Sequence, residues 1–197
     1  ATTLAGGCYS GMFSGCTSLT TVPSNYLPAT TLADGCYSGM FSGCTNLTTT
    51  PTLSATTLAK RCYRGILTGC TYLTTAPELP VTTLASSCYS DMFRNCTGLT
   101  SAPELPATTL ATYCYSSMFE ECTGLITVPS NLLPATTLAD VCYAEMFRRC
   151  SSLTTAPALP ATTLAESCYS SIFEECSSLN YIKCLATDIS ATSCTSG

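Results

Sequence analysis

The stretch ATTLAGGCYSGMFSGCTSLTTVPSNYLP, residues 1–28, decides the fold because the chain repeats its pattern seven times. A repeat of 26 or 28 residues cannot bury its own apolar face, so stacked repeats must share one continuous core. The sequence therefore predicts a single solenoid over residues 1–180, and a degenerate, truncated eighth repeat or cap over 181–197. The shared pattern is ATTLAxxCYxxMFxxCTxLTxAPxLP, and its copies begin at Ala1, Ala29, Ala55, Val81, Ala107, Ala135 and Ala161.

The composition narrows the classes of function. Charged residues make up only 10% of the chain, the net charge is −5, and the seven basic residues form no run. Nucleic-acid binding is not expected, because it requires a basic surface to contact phosphates. Apolar residues make up 46% of the chain, but no stretch approaches 18 consecutive apolar residues. We therefore expect no membrane span in this sequence.

The first half of each repeat predicts a short helix. Its apolar residues share one face at about 100° per residue, and polar residues and glycines occupy the other face. We expect a helix of two to three turns at about residues 5–14, ending at a left-handed glycine in each of the first three repeats (Gly15, Gly43 and Gly69). In the first repeat the apolar residues are Leu4, Ala5, Cys8, Tyr9, Met12, Phe13 and Cys16.

The second half of each repeat predicts extended chain. Residues 17–22 are rich in threonine, which favours strands, and Pro23 ends the segment because proline donates no hydrogen bond to a ladder. A second extended stretch, residues 29–32, leads into the next repeat. The expected fold class is therefore α/β, with one short strand and one short helix per repeat and a parallel ribbon sheet on one side.

The segment MFxxCTxLTxAP, first seen at Met12, Phe13, Cys16 and Leu19, resembles the AFxxCxxLxxI core of BspA-like leucine-rich repeats. This family occurs in surface proteins of anaerobic and host-associated bacteria. The resemblance extends over all seven repeats, although these repeats are longer than usual and add a Cys-Tyr pair. It implies a right-handed leucine-rich-repeat solenoid that is secreted or anchored at the surface, binds a partner and has no catalytic activity.

The sixteen cysteines allow two interpretations. They are either two columns of buried thiols, or disulfides within each repeat from Cys8–Cys16 to Cys168–Cys176, with Cys184–Cys194 as the last pair. Eight helical residues advance about 12 Å, whereas a disulfide needs Cα atoms within about 7 Å. A continuous helix therefore favours thiols, and a helix that breaks after Phe13 permits disulfides. No metal site is expected, because the chain has no histidine and its C-x7-C spacing is not that of a zinc knuckle.

Neither catalytic residues nor a cofactor are expected. Without histidine the chain has no Ser-His or Cys-His pair. The carboxylate pairs Glu120-Glu121 and Glu174-Glu175 are interpreted as solvated helix ends. The charges at these two positions alternate in sign from one repeat to the next through Arg94, Glu120, Arg148 and Glu174. This alternation predicts parallel stacking in register.

Positions that vary between repeats are the candidates for contact with a partner. They are Lys60, Arg61, Arg64, Arg94, Tyr113, Glu120 and Arg148. Two repeated features are alternatives. One is an array of threonine pairs on the expected strands that could bind a repetitive target such as a polysaccharide: Thr20-Thr21, Thr48-Thr49, Thr74-Thr75, Thr100-Ser101 and Thr154-Thr155. The other is a row of seven tyrosines, which we interpret as the edge of the core with hydroxyls that reach water.

These observations predict a monomeric, non-catalytic scaffold for adhesion or binding, at a bacterial surface or secreted. The partner would be a host or bacterial surface protein or a glycan, and the location extracellular or at the cell surface, with signal and anchor outside this sequence. The alternative is a structural spacer that holds another domain away from the surface.

Overall fold

A computed structural model describes residues 4–196; the first three residues of repeat 1 and Gly197 lie outside this description. Within the described range the chain forms no helix and no sheet. The predicted right-handed α/β leucine-rich-repeat solenoid, with a helix and a strand in every repeat, is therefore wrong. Stacking of the repeats is nevertheless present, because hydrogen bonds join the backbone of each repeat to that of the next.

A run of overlapping turns takes the place of the predicted helix in each repeat. In repeat 1 the N–H of Cys8 donates to the carbonyl of Ala5 at 3.3 Å, and the N–H of Ser10 donates to that of Gly7 at 3.1 Å. A new turn therefore closes every two residues. These turn segments span 6–15, 34–43, 60–69, 86–95, 112–121, 140–149 and 166–175.

The amides between those donors bond along the stack. The N–H of Tyr9 donates to the carbonyl of Cys36 at 2.9 Å, and the N–H of Phe13 donates to that of Met40 at 2.9 Å. Half of the amides in a turn segment thus close turns, and the other half join the segment to the next repeat. A helix would keep all of these bonds within one repeat. The turn segment forms only when a neighbouring repeat supplies the acceptors.

Left-handed residues recur at every fourth position of the turn segment. In repeat 1 they are Gly7, Gly11 and Gly15, with φ of 64°, 63° and 74°. Each is the third residue of a turn, where a type II turn requires positive φ. The left-handed conformation predicted for Gly15, Gly43 and Gly69 is confirmed, with φ of 74°, 71° and 72°. These glycines close turns, however, and cap no helix.

The period of the pattern explains why turns form. Both the apolar pairs and the glycines of repeat 1 recur every four residues. A helix repeats every 3.6 residues, so a four-residue pattern drifts around it by about 40° with each step. Two overlapping turns advance the chain by four residues, and the apolar pairs then stay on one side. The strict period of four therefore fits turns better than a helix, but the turns also need acceptors from a neighbouring repeat.

The rest of each repeat is extended but forms only isolated contacts between repeats. The direction of hydrogen bonding reverses here, since the N–H of Thr48 donates to the carbonyl of Thr20 in the preceding repeat at 2.9 Å. The expected strands at residues 17–22 and the ribbon sheet are therefore absent from the described chain. The parallel bridges are Thr31–Thr57, Thr83–Thr109, Thr127–Thr155, Leu159–Cys184 and Thr163–Asp188.

The core lies between the turn segments and the extended side. Each repeat contributes the same residue types, so the core consists of columns that run along the stack. The alanine that opens repeats 2, 3, 5, 6 and 7 is also buried, whereas its counterpart in repeat 4, Val81, is half-buried. Typical of the columns are Cys88, Tyr89, Met92, Phe93, Cys96 and Leu99, all at most 1% exposed.

Candidate functional site

The seven residues predicted to contact a partner occupy different environments. Arg94, Glu120 and Arg148 are joined by ion pairs, whereas Lys60 and Arg61 are exposed. No ion pair involves Lys60 or Arg61 within residues 4–196. Arg64 forms an ion pair with Asp91, with Nε of Arg64 3.1 Å from Oδ2 of Asp91. Tyr113 is 46% exposed. The structure does not gather the seven into one site.

Glu120 is the centre of a charge ladder that runs along the stack. Its Oε2 lies 3.0 Å from Nε of Arg94, and its Oε1 lies 3.6 Å from Nη1 of Arg148. Arg148 continues the ladder, with its Nε 2.9 Å from Oε2 of Glu174. The alternation of sign predicted from the sequence is thus confirmed as contacts between successive repeats.

The interpretation of Glu120 as a solvated residue is wrong. This residue is only 1% exposed, because the turn segments of the neighbouring repeats cover it. Burial raises the pKa of Glu120, and the positive charge of Arg94 opposes the rise. A buried carboxylate needs such partners. Its ion pairs therefore offset part of the cost of burying the carboxylate, and Glu120 offers no surface to a partner.

A second ladder runs beside the first through Glu121, Arg149 and Glu175. Nη1 of Arg149 lies 3.4 Å from Oε1 of Glu121, and its Nε lies 3.1 Å from Oε2 of Glu175. The carboxylates raise the pKa of the Arg149 guanidinium, chiefly through its hydrogen bond with Glu175. The sequence showed the alternating signs of this column as well.

All sixteen cysteines are free thiols, and fifteen of them form two columns, of which the first begins with Cys8 and Cys36 and the second with Cys16 and Cys44. Cys184 lies outside both columns. Thirteen are buried, and Cys8, Cys16 and Cys184 are exposed. The structure therefore agrees with the thiol interpretation, but the argument from a continuous helix was wrong because no helix exists. Burial raises the pKa of Cys62, Cys96 and Cys114 to about 12, so these thiols stay protonated at neutral pH.

The tyrosine row is a continuous stack in the core. Rings in successive repeats lie 5.8–6.0 Å apart between centroids, at interplanar angles of 1–16°. We expected the hydroxyls to reach water, and for four of them this is wrong. The hydroxyls of Tyr63, Tyr115, Tyr143 and Tyr169 are buried and have no hydrogen-bond partner among the described residues. The row consequently presents no sugar-binding surface.

Threonine pairs form the most regular exposed feature. The pairs before the Leu-Ala step are exposed in six successive repeats. The first threonine of a pair can bond along the stack, as Oγ1 of Thr56 does to the carbonyl of Thr30 at 3.4 Å. The second threonine has no hydroxyl bond to any residue of 4–196. This threonine column consists of Thr31, Thr57, Thr83, Thr109, Thr137 and Thr163.

Groups that could support chemistry are sparse. Over residues 4–196 no cluster of three or more cysteine, aspartate or glutamate side chains is placed to hold a metal ion. The same range holds no helix of the length and apolarity needed to cross a bilayer. A depression of about 420 Å³ lies between the proline-rich loops at Pro77–Pro80 and Pro103–Pro106, and one of about 270 Å³ lies between Pro103–Pro106 and Pro129–Pro134. The sequence analysis did not single out these loops as a site.

Comparisons of the chain with protein-family models, curated proteins and solved structures find no match.

Proposed function

We propose that this chain is a non-catalytic scaffold, at a bacterial surface or secreted, that binds a repetitive glycan through its threonine column. The observation that carries the proposal is the set of six exposed threonines, one per repeat, whose hydroxyls bond to no described residue. A glycan offers hydroxyl groups at regular intervals. Many weak contacts together give a high avidity when the spacing of the threonines matches the spacing of the sugar hydroxyls.

Backbone contacts fix two steps of this column, Thr31 to Thr57 and Thr83 to Thr109. The N–H of Leu32 donates to the carbonyl of Thr57 at 3.2 Å, and the N–H of Leu84 donates to that of Thr109 at 3.0 Å. Residues that pair as parallel strands lie about 4.8 Å apart, so the two threonines of each paired step lie at about that interval. A fixed array loses little conformational entropy on binding.

An extracellular location is compatible with the free thiols. The reactive form of cysteine is the thiolate, and burial keeps most of these sulfurs protonated and out of reach. Thirteen of the sixteen cysteines are buried in this way. An oxidising exterior would therefore act first on Cys8, Cys16 and Cys184.

A polysaccharide co-sedimentation assay tests the glycan proposal. The probes are insoluble cellulose, chitin and bacterial peptidoglycan, and the variant replaces Thr57, Thr83 and Thr109 by valine, which keeps the shape and removes the hydroxyls. The matched control replaces Thr21, Thr75 and Thr155, which are exposed in the other threonine array. We expect at least a tenfold loss of binding in the first variant only. The proposal is rejected if the first variant binds as well as the unmodified chain, or if the unmodified chain binds none of the three polymers.

A spacer is the second candidate, and the continuous bonding between repeats favours it. Deletion of residues 81–106 removes one complete repeat in register. A spacer requires its length, so the deletion should shorten the particle in small-angle X-ray scattering and impair display of an attached domain. A glycan scaffold tolerates the deletion, because the other threonines keep their spacing.

A further inference from the structure

Two neighbouring loops with the same sequence stand apart from the hydrogen-bonded stack. Residues 76–80 and 102–106 both read Ala-Pro-Glu-Leu-Pro. Within residues 4–196 no backbone hydrogen bond joins either loop to another segment. The corresponding loops elsewhere are joined, since the N–H of Thr52 donates to the carbonyl of Ser24 at 2.9 Å and that of Ala158 donates to Ser130 at 2.8 Å. We call residues 76–80 and 102–106 the PELP loops.

A cavity of about 420 Å³ lies between the two PELP loops. Both glutamates and four prolines line it, and a second cavity of about 270 Å³ adjoins it through Glu104 and Pro106. Ligand sites in proteins commonly enclose about 300–1,000 Å³. The separation of the loops thus leaves room where other repeats have backbone contacts.

The unpaired backbone of the loops favours a peptide. Prolines at both ends of each loop have no N–H, but Glu78 and Leu79 retain both donor and acceptor groups, as do Glu104 and Leu105. Unpaired groups of extended chain are a template for an added strand. An extended peptide pairs with donors and acceptors together, which a small cation does not do.

Charge determines which peptide fits. Glu78 and Glu104 are exposed, and the two loops contribute one each to the lining of the cavity. No basic residue lines either cavity, and no ion pair within the described range involves these two carboxylates. A chain of net charge −5 adds to the negative potential. Lysine or arginine side chains are the natural counterparts.

We propose that the PELP loops bind an extended peptide segment with alternating basic side chains. The segment lies between residues 76–80 and 102–106, pairs with their backbone and directs its cations to Glu78 and Glu104. This site uses no residue of the threonine column, so it does not depend on glycan binding.

Fluorescence anisotropy with a fluorescein-labelled acetyl-Val-Lys-Val-Lys-Val-amide tests this proposal. The test variant carries Glu78→Gln and Glu104→Gln. The control carries Glu166→Gln, which removes an exposed negative charge elsewhere that takes part in no ion pair of the described residues. We expect the dissociation constant of the test variant to rise about tenfold at low ionic strength and that of the control to change less than twofold. Equal effects of the two variants, or no saturable binding to the unmodified chain, overturn the proposal.

A second probe separates backbone pairing from attraction of charge alone. The same peptide N-methylated at both lysines keeps its charges but loses two amide donors. We expect it to bind at least tenfold more weakly, and equal affinity contradicts the proposed pairing. The test variant is also assayed on the polysaccharides. Because it keeps the threonine column, failure of the peptide site leaves the glycan result unchanged, and each proposal can fail separately.

Discussion

The thiol of Cys122 donates a hydrogen bond to the carbonyl of Phe93 at a distance of 3.0 Å, across 29 residues of sequence. The same contact links Cys96 to Leu67 at 3.1 Å and Cys176 to Phe147 at 2.9 Å. A sulfur that donates must carry its proton. The second cysteine column therefore joins repeats through S–H groups, and a disulfide at these positions would remove the donors.

Thiol counting tests this arrangement. We expect iodoacetamide at pH 8 to modify Cys8, Cys16 and Cys184 in the folded chain, because the other thirteen thiols are buried. In denaturant without reductant all sixteen should react. Intact mass spectrometry counts the added groups. Fewer than sixteen labels in denaturant would reveal disulfides and contradict the free-thiol columns.

Alkaline pH should unfold the chain in a steep transition. The folded pKa of Cys62, Cys96 and Cys114, about 12, exceeds the ordinary value of 9.0, so ionisation favours the unfolded chain. The stability is fully present below pH 9 and is lost as the pH rises toward 12. Each such thiol lowers the free energy of unfolding by about 1.4 kcal/mol per pH unit between pH 9 and 12. Circular dichroism against pH measures the midpoint.

The control for the alkaline transition is Cys184→Ser, which changes an exposed cysteine. Its midpoint should match that of the unmodified chain. A chain that stays folded at pH 12, or a gradual transition that starts below pH 8, contradicts the role assigned to the buried thiols.

Arg94→Gln should destabilise the fold by about 2 kcal/mol. The amide leaves the buried Glu120 carboxylate with its longer contact to Arg148, at 3.6 Å, and removal of one partner from a buried charge is costly. Glu174→Gln is the control, since the Glu174 side chain is 35% exposed and an exposed pair contributes at most about 1 kcal/mol. Urea denaturation gives both free energies of unfolding. Equal effects of the two substitutions would show that burial of Glu120 has no energetic consequence.

Val141→Gly should stabilise the chain by about 1 kcal/mol. Val141 has φ of 58°, a left-handed conformation that is unfavourable for a β-branched residue. The reciprocal change is Gly35→Val at the same position of repeat 2, where φ is 60° and an added Cβ meets no atom within 4 Å. It should destabilise by about 1–2 kcal/mol through the backbone alone. Thermal unfolding gives the change in melting temperature of each variant. The melting temperature should rise for Val141→Gly and fall for Gly35→Val.

Part of the candidate sites could be predicted from the sequence. The alternating charges around Glu120 follow from the repeat, because residues at equivalent positions must lie side by side in a stack. The threonine column was missed, because the sequence analysis favoured the threonine pairs of the expected strands. The burial of Glu120 did not follow, since it depends on how closely the turn segments pack. The PELP cavity could not be predicted either. It exists because two loops lack the backbone bonds made at Thr52 and Ala158.

The sequence by itself determined the stack, its register and the residue types of each buried column, because these follow from strict repetition of an amphipathic unit. It also placed left-handed residues at Gly15, Gly43 and Gly69. Only the tertiary structure decided that the segment between Leu4 and Cys16 is a run of turns. Half of its amides find their acceptors in the next repeat, as Tyr9 does at Cys36. Local propensity does not register such bonds, so a helix was expected where contact between repeats stabilises turns.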